Sequence, residues 1–158
     1  MRRNQCWAPF MKHAAILVVD DNPDHLELTT MALGECCDPR EIATASDGVE
    51  ALDYLFGRNA FASRDTSRQP RLIILDMKLV RLHGLDVLKA VRHDPRTATI
   101  PVVMHSSSTE KGDIAACYAN GANSYVRKAT DYDELRRKMR QIHDFWVTVN
   151  EQYRPAGA

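Results

Sequence analysis

No apolar run in this chain of 158 residues approaches the roughly 20 residues that a membrane-crossing helix needs, so no membrane association is expected. Neither sign of charge is in excess, since Lys plus Arg and Asp plus Glu each number 21. Without a basic surplus, a general nucleic-acid binder is not expected. Cysteine is scarce and unhelpfully spaced. Cys6, Cys36, Cys37 and Cys117 fit neither a zinc site nor the disulfide framework of a small secreted domain, which points to a reducing cytoplasm. The adjacent Cys36 and Cys37 read as a soft helix end rather than a redox couple. Arg2 and Arg3 precede Cys6-Trp7-Ala8-Pro9-Phe10, a stretch too short and broken for a signal-peptide core, and Met11 is an alternative start. Internal repeats and low-complexity tracts are missing too. A chain of this length buries one core rather than two, so the expected organisation is an N-terminal extension (1–13), one domain (14–150) and a tail (151–158).

What is present is a strict alternation. Ala14 to Val19 is an apolar run that stops at Asp20-Asp21, as a strand buried on both faces would. After Asn22-Pro23, the residues Leu26, Leu28, Met31, Ala32 and Leu33 recur at helical spacing, with Pro23 in the first turn and Gly34 near the end. Glu41 to Ala45 reads as a second strand, and a helix after Asp47-Gly48 carries Val49, Ala51, Leu52, Leu55 and Phe56 inward. The polar stretch from Gly57 to Arg71 is longer than a usual connection and reads as a surface excursion. Leu72 to Leu75 repeats the first pattern and stops at Asp76. A helix with Leu85, Val87, Leu88 and Val91 follows, ended by Asp94-Pro95. Val102 to Met104 runs into Ser106-Ser107-Ser108; Ile114, Cys117 and Tyr118 mark a helix closing at Asn120-Gly121; Ser124 to Val126 is a short fifth strand. In the last helix Leu135, Met139, Ile142, Trp146 and Val149 step by three and four, with Thr130 or Asp131 as cap. Five strand-helix units imply a doubly wound α/β fold: a five-stranded parallel sheet with helices on both faces and right-handed crossovers.

In such sheets the functional crevice lies at the carboxyl ends of the strands, where strand order reverses. That places Asp20 and Asp21, Asp76, Ser106 and Lys128 together. Clustered carboxylates need a proton, a cation or a hard metal, and Mg²⁺ suits oxygen ligands. With their charge neutralised, Asp76 can attack a phosphoryl group, while Lys128 and Ser106 hold its oxygens.

The segments Ile16-Leu-Val-Val-Asp-Asp-Asn-Pro, Leu72-Ile-Ile-Leu-Asp-Met, Pro101-Val-Val-Met-His-Ser-Ser and Ser124-Tyr-Val-Arg-Lys resemble the receiver-domain motifs of two-component response regulators, over roughly Ala14 to His143. The resemblance implies a flavodoxin-like strand order of 2-1-3-4-5 and a phosphoacceptor rather than an enzyme acting on a separate substrate. It further implies that Asp76 is phosphorylated and that Asp21, Asp76 and the Lys78 carbonyl ligate Mg²⁺, with Asp20 holding metal-bound water. Ser106 would be the switch hydroxyl, Lys128 the phosphate-binding lysine, and Tyr125 the aromatic whose rotamer follows Ser106.

Three positions depart from that pattern. Val80 and Ala129 stand where proline is usual, so the loop after Lys128 is expected to be trans and differently placed. The Lys78 ammonium is expected to pair with the acidic pocket or crowd an attacking water. His105, on an apolar strand, is expected to be hydrogen bonded at the strand end. No output-domain pattern follows the last helix, so output is expected from the domain's own surface. The excursion from Gly57, the Asp94-Pro-Arg-Thr-Ala-Thr-Ile-Pro connection and the apolar Phe145, Trp146, Val147 and Val149 resemble single-domain regulators paired with bacteriophytochrome histidine kinases. The implied partners are a sensor histidine kinase and a second copy, packed through Phe145, Trp146 and Val149. The main alternative is a degenerate receiver that serves as a dimeric scaffold without phosphotransfer. A haloacid-dehalogenase-type phosphatase is disfavoured by Asn22, which stands where a second acid would be needed two residues after Asp20.

Overall fold

Alternation along the strands sorts their side chains onto two faces, and the whole architecture follows from that sorting. The computed structural model describes residues 14–156; the expected extension 1–13, with Cys6 and Met11, lies outside the described residues. Its elements are β1 (Ile16–Val19), α1 (Pro23–Gly34), β2 (Ile42–Ala45), α2 (Gly48–Phe56), β3 (Leu72–Leu75), α3 (Gly84–His93), β4 (Val102–Ser106), α4 (Lys111–Ala119), β5 (Ser124–Arg127) and α5 (Tyr132–His143). The strands form one sheet in the order β2-β1-β3-β4-β5, and every neighbouring pair is parallel. Ile16 lies opposite both Ile42 and Leu72. β1 and β3 are interior strands covered on both faces, which is why their four residues are all apolar and buried.

Leu17, Val19, Ile73, Leu75 and Met104 face one layer, where Leu55, Val87, Leu88, Val91 and Cys117 from α2, α3 and α4 meet them. Ile16, Val18, Leu72, Ile74 and Val103 face the other, against Ala32 and Leu33 of α1 and Leu135, Met139 and Ile142 of α5. Each fully buried Leu or Ile contributes roughly 1.5–3 kcal/mol of transfer free energy. The starts of α1, α2 and α5 are fixed by side-chain caps. Asn22 accepts from the amides of Asp24 and His25, Asp47 from Glu50, and Asp131, rather than Thr130, from Glu134.

Several local expectations are corrected. Leu28 and Met31 are exposed, because α1 turns Thr29, Ala32 and Leu33 inward instead. α2 buries Tyr54, which the apolar pattern had passed over. β4 continues through His105 and Ser106. The stretch after α2 is not merely a surface excursion: Arg64 is buried within it. Its guanidinium stacks 4.1 Å over the Tyr54 ring and donates to the carbonyls of Tyr54 (3.0 Å) and Arg68 (2.7 Å). A polar-looking segment is thereby pinned to the end of α2. Cys36 and Cys37 do sit at the end of α1, where their thiols lie against the carbonyls of Ala32 and Leu33. Burial pushes the Cys37 thiol up to about 11, which leaves little thiolate for redox chemistry. Beyond α5 the chain continues as a π-helical turn over Asp144–Val149. The following tail folds back under the sheet, where Gln152 donates to the Arg71 carbonyl and Thr99 Oγ1 to that of Tyr153.

Candidate functional site

Strand order reverses between β1 and β3, and the ends of these strands place three acids side by side. Asp20 follows β1, with its amide on the Ala45 carbonyl of β2 and its Oδ1 accepting from the Asn22 amide. Asp76 follows β3, with its amide on the Val19 carbonyl. Both are buried, at 3% and 6% exposure, and Asp21 is half-buried beside them. One carboxylate oxygen from each of Asp20, Asp21 and Asp76 falls within 4.8 Å of the others.

Lys128 enters from the end of β5. Its amide donates to the Ser106 carbonyl, extending the β4–β5 ladder by one bond, and its ammonium lies 2.7 Å from Asp20 Oδ2 and 2.9 Å from Asp76 Oδ2. No cis peptide bond occurs among the described residues. The bond before Ala129 is therefore trans, as expected, and Ala129 in place of proline does not keep Lys128 from the acids. Burial raises the Asp76 carboxyl above the ordinary range, and the Asp20 charge adds to it, against the opposing pull of Lys128. For Lys128, burial works toward the neutral form, but hydrogen bonds to Asp20 and Asp76 outweigh it and hold the ammonium above its usual value.

Three carboxylates facing one ammonium leave an uncompensated negative charge in a partly buried pocket. Hard oxygen donors at this spacing fit a divalent cation such as Mg²⁺ better than a soft metal.

Ser106 is buried at the end of β4, and its Oγ accepts from the Ser108 amide at 3.3 Å. Tyr125 packs its half-buried ring against the α2-α3-α4 layer and donates its hydroxyl to the Ser108 carbonyl at 2.9 Å. The two residues are thus joined through Ser108, whose own hydroxyl donates to Asp113 of α4. Pattern reading passed over Ser108 and also His25, whose Nδ1 lies 3.1 Å from the Lys128 ammonium. The signals available were the Ser106-Ser107-Ser108 run after an apolar strand and a histidine in the turn after the acid pair.

Two expectations fail here, the pairing of the Lys78 ammonium with the acidic pocket and the hydrogen bonding of His105. Lys78 is exposed and forms no ion pair among the described residues; only its amide turns inward, donating to Asp76 Oδ1 at 3.3 Å. Its long stem is free to reach water, and the pocket already holds an ammonium. His105 is not hydrogen bonded through Nε2, which is buried without a partner among the described residues. Burial, reinforced by the Lys128 charge, drives its pKa down to about 4.

On the β5 edge of the sheet, a shallow groove runs between Ser124, Val126, Ile142, Phe145 and Trp146. Phe145 is 50% exposed and Val149 67%. Trp146 meets Phe145 edge-on at 4.8 Å and packs against its own domain's core, so only part of its ring is available to a partner. No helix among the described residues is long and apolar enough to cross a membrane.

A family model for the response regulator receiver domain matches residues 16–140. The "Probable methanogenesis regulatory protein FilR2" of Methanothrix harundinacea is 32% identical over 141 residues, covering 89% of this chain and 88% of that protein. Among solved structures, the phosphorylated cyanobacterial phytochrome response regulator RcpA superposes with a TM-score of 0.81 at 32% identity, covering 89% of this chain and 98% of that one. The bacteriophytochrome response regulator AtBRR does so at 0.69 and 37% identity, with coverages of 88% and 99%.

Proposed function

Because this chain belongs to the response regulator receiver domain family, we propose that it takes a phosphoryl group on Asp76 from a sensor histidine kinase of the bacteriophytochrome type, in a two-component relay. The observation that carries this reading is Lys128 bridging Asp20 and Asp76 inside the three-acid cluster. Asp20, Asp21, Asp76 and the Lys78 carbonyl would hold Mg²⁺. The ion, when bound, neutralises the acids and the transferring oxygens. An Asp76 carboxylate oxygen forms the new P–O bond as the P–N bond to the donor imidazole breaks, and the electron pair leaves with the imidazole nitrogen. Lys128, already at Asp76 Oδ2, pairs with the phosphoryl group bound there. Ser106 supplies a hydroxyl to the same group. Its movement would release the Ser108 amide and, through the Ser108 carbonyl, the Tyr125 hydroxyl, a two-state element of the kind a phosphoryl group can bias.

Incubation with Mg²⁺ and acetyl phosphate is expected to add a phosphate-sized mass to the wild type and nothing to Asp76→Asn. No gain in the wild type, from acetyl phosphate or from a phosphorylated sensor kinase, would move the protein to the scaffold reading.

The kinase assignment draws on the likeness to RcpA and AtBRR. Homodimerisation draws on the apolar Phe145 beside the β5 edge and on the exposed Val149, more exposed apolar surface than a lone helix end requires. Light scattering at micromolar concentration is expected to give a dimer that Phe145→Lys converts to monomer. A monomeric wild type would remove the dimer from the proposal.

A further inference from the structure

The loop between β3 and α3 contains a backbone conformation that L-residues rarely adopt. Arg81 has φ +63°, and the Leu82 amide donates to the Val80 carbonyl at 2.7 Å, so Arg81 is the central residue of a tight three-residue turn of the uncommon, strained kind. Val80, exposed and without a proline ring, leaves its own φ unfixed. Something outside the turn must hold it.

Two contacts from the corner between β2 and α2 do so. The Arg81 guanidinium places Nε at 2.9 Å and Nη2 at 2.6 Å from Asp47 Oδ2. The other oxygen of Asp47 accepts from the Glu50 amide at 2.8 Å and caps α2, so this carboxylate has little freedom of its own. Burial favours its neutral form, but the Glu50 amide and Arg81 outweigh that and keep the carboxyl below its ordinary range. Next to it, Gly48 is pressed so closely on the turn that a Cβ would stand 2.5 Å from the Leu82 carbonyl oxygen.

The strained turn lies inside a loop that is closed on itself. The Gly84 amide donates to the Met77 carbonyl at 2.8 Å, enclosing Lys78 to His83, and the first residue of that segment donates its amide to Asp76 Oδ1 at 3.3 Å. Displacement of Arg81 would therefore be passed to the Lys78 carbonyl, three residues away within the same closed segment.

We propose that the Asp47–Arg81 ion pair is a positioning clamp for the phosphoacceptor site, holding the turn at Arg81 so that the Lys78 carbonyl and the Asp76 carboxylate keep the arrangement that takes Mg²⁺. This rests on the metal reading given above. Arginine stands in a backbone region that suits glycine or asparagine, and from there its guanidinium reaches Asp47.

The test is a Mg²⁺ titration followed by amide shifts of Asp76 and Lys78, at constant ionic strength. The proteins are the wild type, Arg81→Gln, Asp47→Asn, the double variant and Arg81→Asn. Arg81→Gln removes a positive charge, which by electrostatics alone would tighten cation binding; the clamp predicts the opposite, a loss of roughly tenfold, as for other groups that orient metal ligands. Asp47→Asn keeps an N-cap side chain and is expected to lose as much, and the double variant no more than either single one, since all three remove the same interaction. Arg81→Asn, which tolerates the left-handed backbone unaided, should fall between Arg81→Gln and the wild type. A wild type that binds Mg²⁺ alongside an Arg81→Gln that binds it equally or more tightly overturns the clamp and leaves the site's function standing. A wild type that shows no Mg²⁺ response overturns both. Losses in the double variant equal to the sum of the singles would show two unrelated effects and also overturn the clamp.

Discussion

His105→Val is expected to stabilise the protein by about 1–3 kcal/mol at pH 7, the usual cost of a buried polar atom left without a partner. His105 is 4% exposed on β4, two residues after Val103 and on the same face of the sheet. Its Nε2 meets no acceptor or donor among the described residues, and valine suits a strand at that position. The pH dependence is the sharper part. The folded imidazole titrates near 4 against an ordinary value of 6.5, so between these values the unfolded chain binds more protons and acid draws the protein toward unfolding. The stability that depends on a neutral His105 is whole above about pH 6.5 and is lost as pH falls toward and through 4. Over that window the wild type should lose about 3 kcal/mol that the valine variant keeps. Urea denaturation at several pH values reads both quantities. Parallel pH profiles, or a less stable valine variant at pH 7, would contradict the assignment.

Gly84→Ala is expected to have a large effect of the opposite sign, about 3 kcal/mol or more of lost stability. A Cβ on Gly84 would stand 2.2 Å from the Asp76 carbonyl oxygen, 2.7 Å from Met77 Cα and 2.9 Å from the Met77 carbonyl oxygen. All three are backbone atoms, so no rotamer change relieves the overlap. Either α3 moves off β3 or the chain at Asp76 shifts, and both alter the residue proposed to take the phosphoryl group. The variant should therefore also take up phosphate poorly from acetyl phosphate at temperatures where it remains folded. A wild-type urea midpoint together with normal uptake would show that the helix start relaxes freely.

Much of this was legible in order along the chain. Val18-Val19-Asp20-Asp21 and Ile74-Leu75-Asp76 announce buried parallel strands that end in acids, because only a strand covered on both faces needs no polar position. From the alternation of such strands with helical periods, the sheet and the convergence of Asp20, Asp21, Asp76, Ser106 and Lys128 at one edge follow from chain geometry. Sequence pattern misleads where a residue's surroundings come from distant segments. Arg64 sits in a polar stretch yet is buried, because Tyr54 offers a ring and α2 offers free carbonyls. Leu28 and Met31 look like core and are exposed, because α5 packs against a different stripe of α1.

Residue types and their spacing are local properties, and they determined the parallel alternating fold, its two apolar layers and which acids end its strands, whereas the strand order came only with the family resemblance. Distances and strain are not local. Only the tertiary structure decided that Lys128 reaches Asp20 and Asp76 without a proline behind it, that Lys78 turns its amide inward and its ammonium out, and that Arg81 is held in a left-handed turn by Asp47. Each of these depends on groups 30 or more positions apart, or on the closure of a loop against its neighbours, and such distances are set by how the packed core places the backbones rather than by neighbouring residues.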